Sequence, residues 1–493
     1  MFKSFKKIPF FLFLLPVFFC LHGVFEIYGG IYFTETLKLA LGIYAGMVIL
    51  YLLLFFVTKN VKSASLICFY ISLLFLFYGA LQDWMQAKAF LSWLHKYSVL
   101  LSVLGISIFC LAYLLKKNDA VQKKIFLFLN FLLIIYCVVD AVLLLNKSLT
   151  NKKAAWANIT FNQTKVKARP NVYYLLFDEY PGYKTLDTQF GFKNDSLYNS
   201  LKSNGFKILP SVSNYNLTFF SMSAVFNMQY VDSNYIHQRK ITDLHDYQQR
   251  FLEIKNAQVF SLYKSMGYQV ENYSIFDVGD QICINAENTF LPKHNRALVA
   301  KMLHHRLIKD IGWWFKGTIF KNMFAYKEGI YYVDETNLKI EQSIKESLEQ
   351  KSDKPKFCYA HFLMPHPPFF RDSLGALIKN EKGQVINSSD KKYFLTYLKY
   401  TNSFISSLIN NIVQKDSSAI VLVMSDHGYR DYEKSREFNA MAFDNICAIK
   451  FPDNNFLPYN EPLNSVNFFR YVFNCEYNQQ IPYLKDSTIW LNY

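Results

Sequence analysis

The residues Asn171–Phe177, NVYYLLF, form an unbroken apolar run that ends directly at the acidic pair Asp178-Glu179. A run without alternation, rich in aromatic and β-branched residues, is typical of a strand that is buried on both faces. Two later runs have the same character, Lys356–Phe362 (KFCYAHF) and Ala419–Met424 (AIVLVM). The three runs therefore predict a mainly parallel sheet.

The segments between these runs have helical periodicity. In Lys391–Ile412 large apolar residues recur three or four positions apart, at Tyr393, Tyr397, Tyr400, Phe404 and Leu408. Strands that alternate with helices predict an α/β domain whose mainly parallel sheet is sandwiched by helices.

Polar residues follow the predicted strands where each strand ends. In sheets of this kind ligands bind beyond the carboxyl ends of the strands. Asp178 follows the first run, His366 follows the second, and Asp426 and His427 follow the third. The sequence therefore predicts an active site at this edge.

The first 146 residues have a different composition. The 493-residue chain is 52% apolar and yet carries a net charge of +15, and nearly all of its long apolar runs precede about residue 146. At a rise of about 1.5 Å per residue, five runs are long enough to cross a bilayer core. They are Ile8–Tyr28, Leu37–Val57, Ala64–Leu81, Tyr97–Leu115 and Ile125–Leu145.

The first run allows a second interpretation, because the lysines ahead of it also suit a cleaved signal peptide. It lacks a clear small-residue cleavage site and is followed closely by further runs, which favours a retained helix. Lysines then concentrate before the first run, between the second and third, and between the fourth and fifth. Since cytoplasmic loops are enriched in lysine, this predicts a cytoplasmic N-terminus and an extracytoplasmic chain after Leu145.

The predicted organisation is a five-helix transmembrane domain (1–146), a polar linker (147–170) and an extracytoplasmic catalytic domain (171–493). The basic excess fits lipid headgroups better than nucleic acid, because the sequence contains no nucleic-acid-binding signature. Transport is disfavoured because few ionisable residues, chiefly Glu26 and Asp140, lie inside the apolar runs.

The polar residues at the strand ends suggest metal chemistry. Two carboxylates and an imidazole suit a divalent ion such as zinc or manganese. Cleavage of a phosphate ester also needs a nucleophile, and Thr218 is the candidate because it stands at a predicted helix start, where phosphate binds well. The hydroxyls of Ser213, Ser221 and Ser223 are alternatives for the same helix end.

Four motifs, in their order and spacing, resemble the sulfatase-like branch of the alkaline phosphatase superfamily. They are the acidic pair after the first strand, Thr218 before a serine-rich helix, Met364-Pro-His366-Pro-Pro and Ser425-Asp426-His427-Gly428. Together with five N-terminal spans, the chain resembles lipoteichoic acid synthases and lipid A phosphoethanolamine transferases. The motifs cover about residues 171–452.

The resemblance implies a role for each matching residue. Asp178, Asp426 and His427 would bind the metal, and Thr218 would be both a metal ligand and the nucleophile that becomes phosphorylated. His366 would contact the substrate phosphate or serve the leaving group. Glu179 would share the ligand role of Asp178, because sulfatases have a second acid at this position, and His361 is interpreted as a strand residue satisfied by its neighbours.

Two departures from the family pattern limit the reaction. The formylglycine motif Cys/Ser-x-Pro-x-Arg of true sulfatases is not in the sequence, which disfavours sulfate ester hydrolysis. No histidine occurs in Tyr429–Asn445, where the phosphoethanolamine transferases have one. The resemblance therefore favours one divalent metal, zinc or manganese, over two zinc ions.

The predicted activity is the metal-dependent transfer of a phospho-headgroup from a membrane phospholipid to an envelope glycan or lipid acceptor, through a phospho-threonine. The alternatives are a phosphodiesterase or phosphatase of the same fold, and a catalytically degenerate membrane scaffold. We expect a multi-pass protein of the cell (inner) membrane that acts as a monomer, without a nucleic-acid partner.

Overall fold

The computed structural model describes residues 5, 7–28, 31, 33–91, 93–150, 156–231, 244–284, 298–311, 330–381, 383–431, 438–459 and 462–492. The chain forms two compact units. A helical unit comprises Met1–Lys153 and Glu287–Tyr326, and a catalytic unit comprises Ala154–Ala286 and Lys327–Tyr493.

The helices of the described residues are numbered here in chain order. They are α1 (Phe10–Glu26), α2 (Phe33–Thr58), α3 (Val61–Gln86), α4 (Tyr97–Lys117), α5 (Asp119–Thr150), α6 (Tyr183–Phe190), α7 (Asp195–Ser203), α8 (Thr218–Asn227), α9 (Leu244–Lys255), α10 (Gln258–Ser265), α11 (Leu303–Ile311), α12 (Ile330–Glu349), α13 (Lys391–Lys415) and α14 (Phe468–Glu476).

Among the described residues, four helices, α2 to α5, are long and apolar enough to cross a membrane. The fifth predicted span corresponds to α1, which is apolar but has only 17 residues. The structure thus confirms four apolar helices ahead of the α/β domain, and the fifth span stays a prediction.

Helix α1 packs lengthwise against α5, and the two helices run in the same direction. The Phe11 N–H donates to Asn130 Oδ1 at 3.0 Å near the start of α1. His22 Nδ1 lies 3.2 Å from Asp140 Oδ2 further along. Near the end, Lys147 Nζ donates to the Phe25 carbonyl oxygen at 3.0 Å. Because the partners on α5 advance together with those on α1, the two helices are parallel.

The catalytic unit is built on a mostly parallel sheet. Its strands, in chain order, are β1 (Val172–Phe177), β2 (Lys207–Ile208), β3 (Ser211–Val212), β4 (Gln269–Tyr273), β5 (Lys356–Phe362), β6 (Ile420–Met424), β7 (Asp444–Asn445), β8 (Cys447–Lys450) and β9 (Leu463–Asn464). Six of them pair in the order β2-β8-β6-β1-β5-β4, and β7-β3-β9 form a small second sheet. Neighbours from β4 to β6 are parallel, and β8 and β2 add an antiparallel edge.

The three predicted strands are confirmed as β1, β5 and β6, and they lie side by side at the centre of the sheet. Every residue of these strands is buried, which explains their continuous apolar runs. Helices cover both faces of the sheet. Tyr173 and Leu175 face the core that contains Phe394 of α13, whereas Tyr174 contacts Phe226 of α8 on the other side.

Helix α13 confirms the predicted helix but with a rotated buried face. Of the five residues that the periodicity selected, Tyr397 and Leu408 are buried, while Tyr393, Tyr400 and Phe404 are only partly so. The most deeply buried stripe instead includes Phe394, Leu398, Ile405, Ile409 and Ile412. A tyrosine at the border of a buried helix face can keep its hydroxyl near water. The spacing of Tyr393 and Tyr400 therefore marks the edge of the buried face and not its centre.

The predicted linker, residues 147–170, divides into different parts. Helix α5 continues to Thr150, beyond the predicted boundary at residue 146. Further along, the Ala157 N–H donates to Gln229 Oε1 at 2.9 Å, and the Asn162 N–H donates to Gln479 Oε1 at 2.8 Å. Residues 156–170 are therefore part of the catalytic unit. The segment Glu287–Tyr326, which the sequence analysis assigned to the catalytic domain, groups with the helical unit.

Candidate functional site

The carboxyl ends of two adjacent strands bring three of the predicted metal ligands together. Strand β1 leads into Asp178, and β6 leads through Ser425 into Asp426 and His427. One ligating atom from each of Asp178, Asp426 and His427 lies within 4.8 Å of the others, and all three residues are buried. We call these three residues the carboxylate–imidazole group. By composition and spacing they could hold a metal ion.

Thr218, the fourth predicted ligand, is the first residue of α8, and its Oγ1 lies 3.4 Å from His427 Nε2. The position at the helix start is favourable for negative charge, because the helix dipole is positive there. The other hydroxyls of this region bond elsewhere: Ser213 to the Tyr215 carbonyl at 3.3 Å, Ser221 to the Asp426 carbonyl at 2.5 Å, and Ser223 to Glu253 Oε2 at 2.5 Å. Of these four hydroxyls, Thr218 is the one placed beside the carboxylate–imidazole group.

The lone pairs inside the group fit a cation. His427 Nδ1 lies 2.8 Å from the Gly428 carbonyl oxygen and is placed to donate to it, which leaves a lone pair on Nε2 of the neutral ring. That Nε2 is 3.2 Å from Asp426 Oδ2. This carboxylate oxygen is buried and has no hydrogen-bond partner among the described residues. Two facing lone pairs repel each other, and a cation between them would bind both.

Asp178 completes the group with a second unmatched oxygen. Its Oδ1 is buried and has no hydrogen-bond partner in the described part of the chain, and its Oδ2 is 3.5 Å from His361 Nε2. Burial would raise the pKa of the Asp178 carboxyl. The imidazoles of His366, His361 and His427, which stabilise the carboxylate when protonated, outweigh burial and hold this pKa well below its usual range. The lowered pKa favours the ionised carboxylate, which is the form that binds a metal ion.

His361, read from sequence as a satisfied strand residue, lies on β5 between this group and the core. Its Nδ1 is 3.0 Å from the Tyr359 hydroxyl, which satisfies one ring nitrogen. Its Nε2 has no hydrogen-bond partner among the described residues and faces Asp178 at 3.5 Å. Nδ1 of His361 is therefore satisfied by a neighbour, as the sequence interpretation expects, whereas Nε2 faces Asp178 of the carboxylate–imidazole group.

Glu179 and His366 form a second cluster with Arg430, which we call the Glu179–Arg430 cluster. The Arg430 N–H donates to Glu179 Oε1 at 2.8 Å, and Arg430 Nη2 lies 3.2 Å from Glu179 Oε2. The same Nη2 lies 2.8 Å from His366 Nε2. The Glu179 carboxylate thus faces a guanidinium, whereas the carboxylate of Asp178, one residue earlier, faces the carboxylate–imidazole group.

The backbone of Glu179 explains why two consecutive acids point to different partners. Glu179 has φ = 61°, in the left-handed region that non-glycine residues rarely adopt. Its N–H donates to Asp426 Oδ1 at 3.0 Å, which holds this turn directly after β1. Strained backbone of this kind concentrates at functional sites.

Arg430 is the functional candidate that sequence reasoning missed. It stands three residues after His427, on a loop without periodicity, so its direction is not readable from the pattern. The loop geometry begins at Gly428, where a Cβ atom would collide with the carbonyl oxygens of Met441 and Asp444. The signal that could have found Arg430 is its charge, since it is the first cation after the Ser425-Asp426-His427-Gly428 motif.

The C-terminal tail, residues 487–491, holds the loop that precedes Thr218. Buried Asn216 makes two hydrogen bonds to the backbone of Leu491, donating from Nδ2 at 3.1 Å and accepting at Oδ1 at 2.8 Å. Asn214 donates to the Ser487 carbonyl at 2.8 Å, and the Asn214 carbonyl accepts from the Ile489 N–H at 2.8 Å. The start of α8 is therefore tied to the end of the chain.

The model of the sulfatase family matches residues 168–463, which include both clusters and Thr218. The chain belongs to the sulfatase family. This confirms, at the level of the family, the resemblance inferred from the four motifs. No match was found among curated proteins.

Solved structures show distant similarity to this chain. The C-terminal periplasmic domain of EptC from Escherichia coli is 10% identical, with 69% of this chain and 93% of that chain covered and a TM-score of 0.39. The corresponding domain of the phosphoethanolamine transferase EptC from Campylobacter jejuni is 13% identical, with 66% and 95% covered and a TM-score of 0.36. The phosphonate monoester hydrolase SpPMH from Silicibacter pomeroyi is 14% identical, with 65% and 75% covered and a TM-score of 0.38.

Proposed function

We propose that the protein is a membrane-anchored, metal-dependent enzyme that transfers a phospho-headgroup from a membrane phospholipid to an envelope glycan or lipid acceptor. The observation that carries the proposal is the position of the Thr218 hydroxyl. It lies 3.4 Å from His427 Nε2, an atom of a buried group with two carboxylates and unmatched lone pairs. A nucleophile beside a cation site is the arrangement that covalent phosphoryl transfer requires.

The proposed metal is one divalent ion, zinc or manganese, held by Asp178, Asp426, His427 and the Thr218 oxygen. When bound, such an ion lowers the pKa of a coordinated hydroxyl and neutralises phosphate oxygens. A single ion is favoured because the Glu179 carboxylate is already matched by Arg430. The absence of a histidine from Tyr429–Asn445 also favours one metal ion over two.

In the first half of the proposed reaction, Thr218 Oγ1 loses its proton to solvent and attacks the phosphorus of the lipid headgroup. The Oγ1–P bond forms while the bond from phosphorus to the glycerol oxygen breaks. Diacylglycerol leaves after its oxygen takes up a proton from solvent. The headgroup phosphate is then an ester of Thr218, at a helix N-terminus that favours its negative charge.

In the second half, the acceptor hydroxyl attacks the same phosphorus, the Thr218 Oγ1–P bond breaks, and Oγ1 takes up a proton from solvent to restore the hydroxyl. His366 is suited to receive the proton of the acceptor. Its side chain is 32% exposed, and its Nδ1 is placed to donate to the Pro367 carbonyl at 2.6 Å, so Nε2 is the ring's acceptor. Nε2 accepts from Arg430 Nη2 at 2.8 Å in the structure, and in the proposed reaction it takes up the acceptor's proton when the guanidinium turns to the phosphate oxygens. The Arg430 guanidinium beside it supplies positive charge for the phosphate oxygens.

For the membrane part we propose that α1 crosses the bilayer together with the four longer helices. Its 17 residues span about 25 Å, which is close to the thickness of a bilayer core. Its parallel packing against α5 supports this topology, because the first and fifth of five consecutive spans must run in the same direction. Together with the lysine distribution, five spans put the catalytic unit on the extracytoplasmic side of the cell membrane.

Hydrolysis is the second candidate, and the exposure of His366 is the observation that favours it. A ring that solvent reaches can activate water as well as an acceptor hydroxyl. The products distinguish the two reactions: hydrolysis yields a free headgroup phosphate, while transfer yields a modified acceptor. Asp178 and Asp426 each have a buried oxygen without a hydrogen-bond partner among the described residues, and this disfavours a degenerate scaffold. Such oxygens destabilise the fold, so their presence calls for a functional explanation.

The test is to trap the covalent intermediate. Purified protein in detergent, loaded with zinc or manganese, is mixed with labelled phosphatidylethanolamine or phosphatidylglycerol, quenched in acid and examined by peptide mass spectrometry. We expect a headgroup-phosphate mass on Thr218 and none in the Thr218→Ala variant. Thr218→Ser, which keeps a hydroxyl, is the matched control and should still form the adduct. Lipid turnover by wild-type protein without any adduct at Thr218 would refute the covalent mechanism.

A further inference from the structure

Two glycines in the helical unit lie where a segment from elsewhere in the chain touches the helix backbone. A Cβ atom at Gly23 of α1 would collide with the Leu298 side chain. At Gly79 of α3, a Cβ would lie 2.7 Å from Arg306 Nε and 3.0 Å from the Ala300 carbonyl oxygen. Both glycines therefore leave room for the segment 298–311, which we call the clip segment.

Other glycines of the long helices provide the contrast. At Gly42 and Gly46 of α2 and at Gly105 of α4, an added Cβ would meet no described atom within 4 Å. A glycine costs a helix up to about 1 kcal/mol relative to alanine, so one without a close neighbour has no evident packing purpose. At Gly23 and Gly79 that purpose is visible, because a larger residue would displace the clip segment.

Apolar and aromatic contacts fix the first half of the clip segment. Leu298 and Met302 are buried in the same core as Phe11, Leu15 and Phe19 of α1. The ring of His304 stacks on Phe75 of α3, with centroids 5.4 Å apart. The clip segment is thus packed into the helices and does not merely lie on their surface.

Charged and polar contacts hold the clip segment at Lys301, Arg306 and Asp310. Arg306 makes a bidentate pair with Asp83 of α3, at 2.9 and 2.7 Å. Lys301 forms an ion pair with Glu26 of α1, and its carbonyl oxygen accepts a hydrogen bond from the Gly79 N–H at 2.8 Å. Asp310 accepts a hydrogen bond from the Tyr97 hydroxyl at 2.6 Å. A bidentate arginine pair requires a specific geometry, so the Arg306–Asp83 pair fixes the position of the clip segment on α3.

The clip segment lies in the chain between two strands of the catalytic unit, so its contacts with the helices connect the two units. The segment is inserted between β4 and β5, which are paired neighbours in the central sheet. The chain therefore leaves the catalytic unit after Ala286, enters the helical unit, and returns at Lys327. The two units are joined by three chain crossings, of which the one at Lys153–Ala154 is only the first.

We propose that residues 298–311 are a second attachment of the catalytic unit to the membrane helices, one that holds without the linker. While this attachment holds, the catalytic unit remains joined to the membrane helices, and we expect this connection to favour lipid donors over soluble esters. The preference for lipid donors rests on the proposed function, whereas the attachment itself does not. The segment that packs against these helices is part of the same chain, and Leu298, Lys301 and Arg306 make its contacts.

The first experiment measures attachment without any substrate. A protease site is inserted within residues 151–155 of the full-length protein, which carries an affinity tag at the N-terminus, and the purified protein is cut in detergent. We expect the two fragments to stay together on the affinity resin. In Gly23→Leu/Gly79→Leu, cutting should release most of the C-terminal fragment, while the matched Gly42→Leu/Gly46→Leu protein should retain it. Release from cut wild-type protein, or retention in the Gly23/Gly79 variant, would overturn the proposal.

A charge reversal provides a second test that does not depend on correct folding of the glycine variant. Arg306→Glu should release the fragment more readily than wild type, and adding Asp83→Arg should restore retention, because the pair is then reversed and not lost. If the double reversal releases as much as the single one, the Arg306–Asp83 pair does not hold the segment.

The second experiment measures what the attachment does. Cut wild-type protein should turn over a lipid donor in vesicles at near its uncut rate, while cut Gly23→Leu/Gly79→Leu should lose about tenfold or more. Turnover of a soluble aryl phosphate should be equal in both. Equal lipid turnover after proven release would refute the role in lipid access. If neither protein turns over any phosphate ester, the proposed function fails while the retention result still decides the attachment.

Discussion

Two neighbouring clusters at the end of the central sheet differ in how their charges are matched. In the carboxylate–imidazole group, Asp178 and Asp426 each have a buried oxygen without a hydrogen-bond partner in the described chain. In the Glu179–Arg430 cluster, both oxygens of Glu179 face Arg430, through its N–H and its guanidinium. The first cluster is short of positive charge and the second is balanced.

This difference indicates a division of labour between two adjacent acids. An uncompensated pair of buried carboxylates is unfavourable unless a cation joins it, so the carboxylate–imidazole group is complete only with an ion. A balanced cluster is stable as it stands, and the His366 and Arg430 side chains, 32% and 12% exposed, are proposed to contact the substrate. We therefore expect variants of the two clusters to separate metal binding from substrate handling.

The largest effect is expected for the unmatched group. Asp426→Asn removes one charge while keeping the shape and the acceptor for the Glu179 N–H. Metal binding contributes several kcal/mol to transition-state stabilisation, so we expect turnover to fall about 1,000-fold or more, with metal content falling in parallel. Metal analysis of dialysed protein and lipid turnover measure the two quantities.

Glu179→Gln is the matched control for this prediction, since it removes a carboxylate one residue away from Asp178. Its metal content should equal that of wild type, because its oxygens face Arg430. Equal metal loss in Glu179→Gln and Asp426→Asn would mean that both clusters hold the ion, and the distinction between them would be lost.

A smaller effect is expected for Arg430→Gln. The guanidinium is proposed to act on phosphate oxygens, and removing one such charged donor costs about 10- to 100-fold in turnover, with metal content unchanged. Arg430→Lys should recover part of the loss, because the charge is kept while the planar guanidinium is not. Arg371→Gln, which breaks a bidentate pair with Asp334 of α12, is the control and should leave turnover near that of wild type. Loss of metal from Arg430→Gln would contradict the separation of the two clusters.

The sequence predicted the unmatched cluster better than the matched one, for a physical reason. Asp178, Asp426 and His427 directly follow buried apolar strands, and parallel neighbours bring such residues to one edge. Thr218 needed the family resemblance, because three nearby serines carry the same group. The direction of Glu179 depends on its left-handed backbone, and the contact with Arg430 depends on the path of a loop, neither of which leaves a periodic signal.

The clip segment was missed for a related reason. Its amphipathic residues fit a surface helix of the catalytic domain as well as a helix seated elsewhere, so the pattern does not specify a partner. Gly23 and Gly79 look like ordinary glycines of apolar helices, and only the positions of Leu298 and Arg306 reveal their purpose. Contacts between segments far apart in the chain depend on tertiary structure, which local pattern does not encode.

The smallest effect is expected for Asn216→Ala, which touches neither cluster but loosens the loop that positions Thr218. The two hydrogen bonds between Asn216 and Leu491 contribute about 1 kcal/mol each, and we expect about half of their loss to act on the position of Thr218, which would lower turnover about 3- to 10-fold. Asn474 clamps Ile481 with the same pair of backbone hydrogen bonds, at 2.9 and 2.8 Å, and provides the control. Both alanine variants should lose similar stability in thermal unfolding, because equivalent bonds are removed. Only Asn216→Ala should also slow formation of the Thr218 adduct at unchanged metal content. If Asn474→Ala slows the adduct equally, the tail acts through stability alone, and the geometry between Thr218 and the carboxylate–imidazole group does not depend on it.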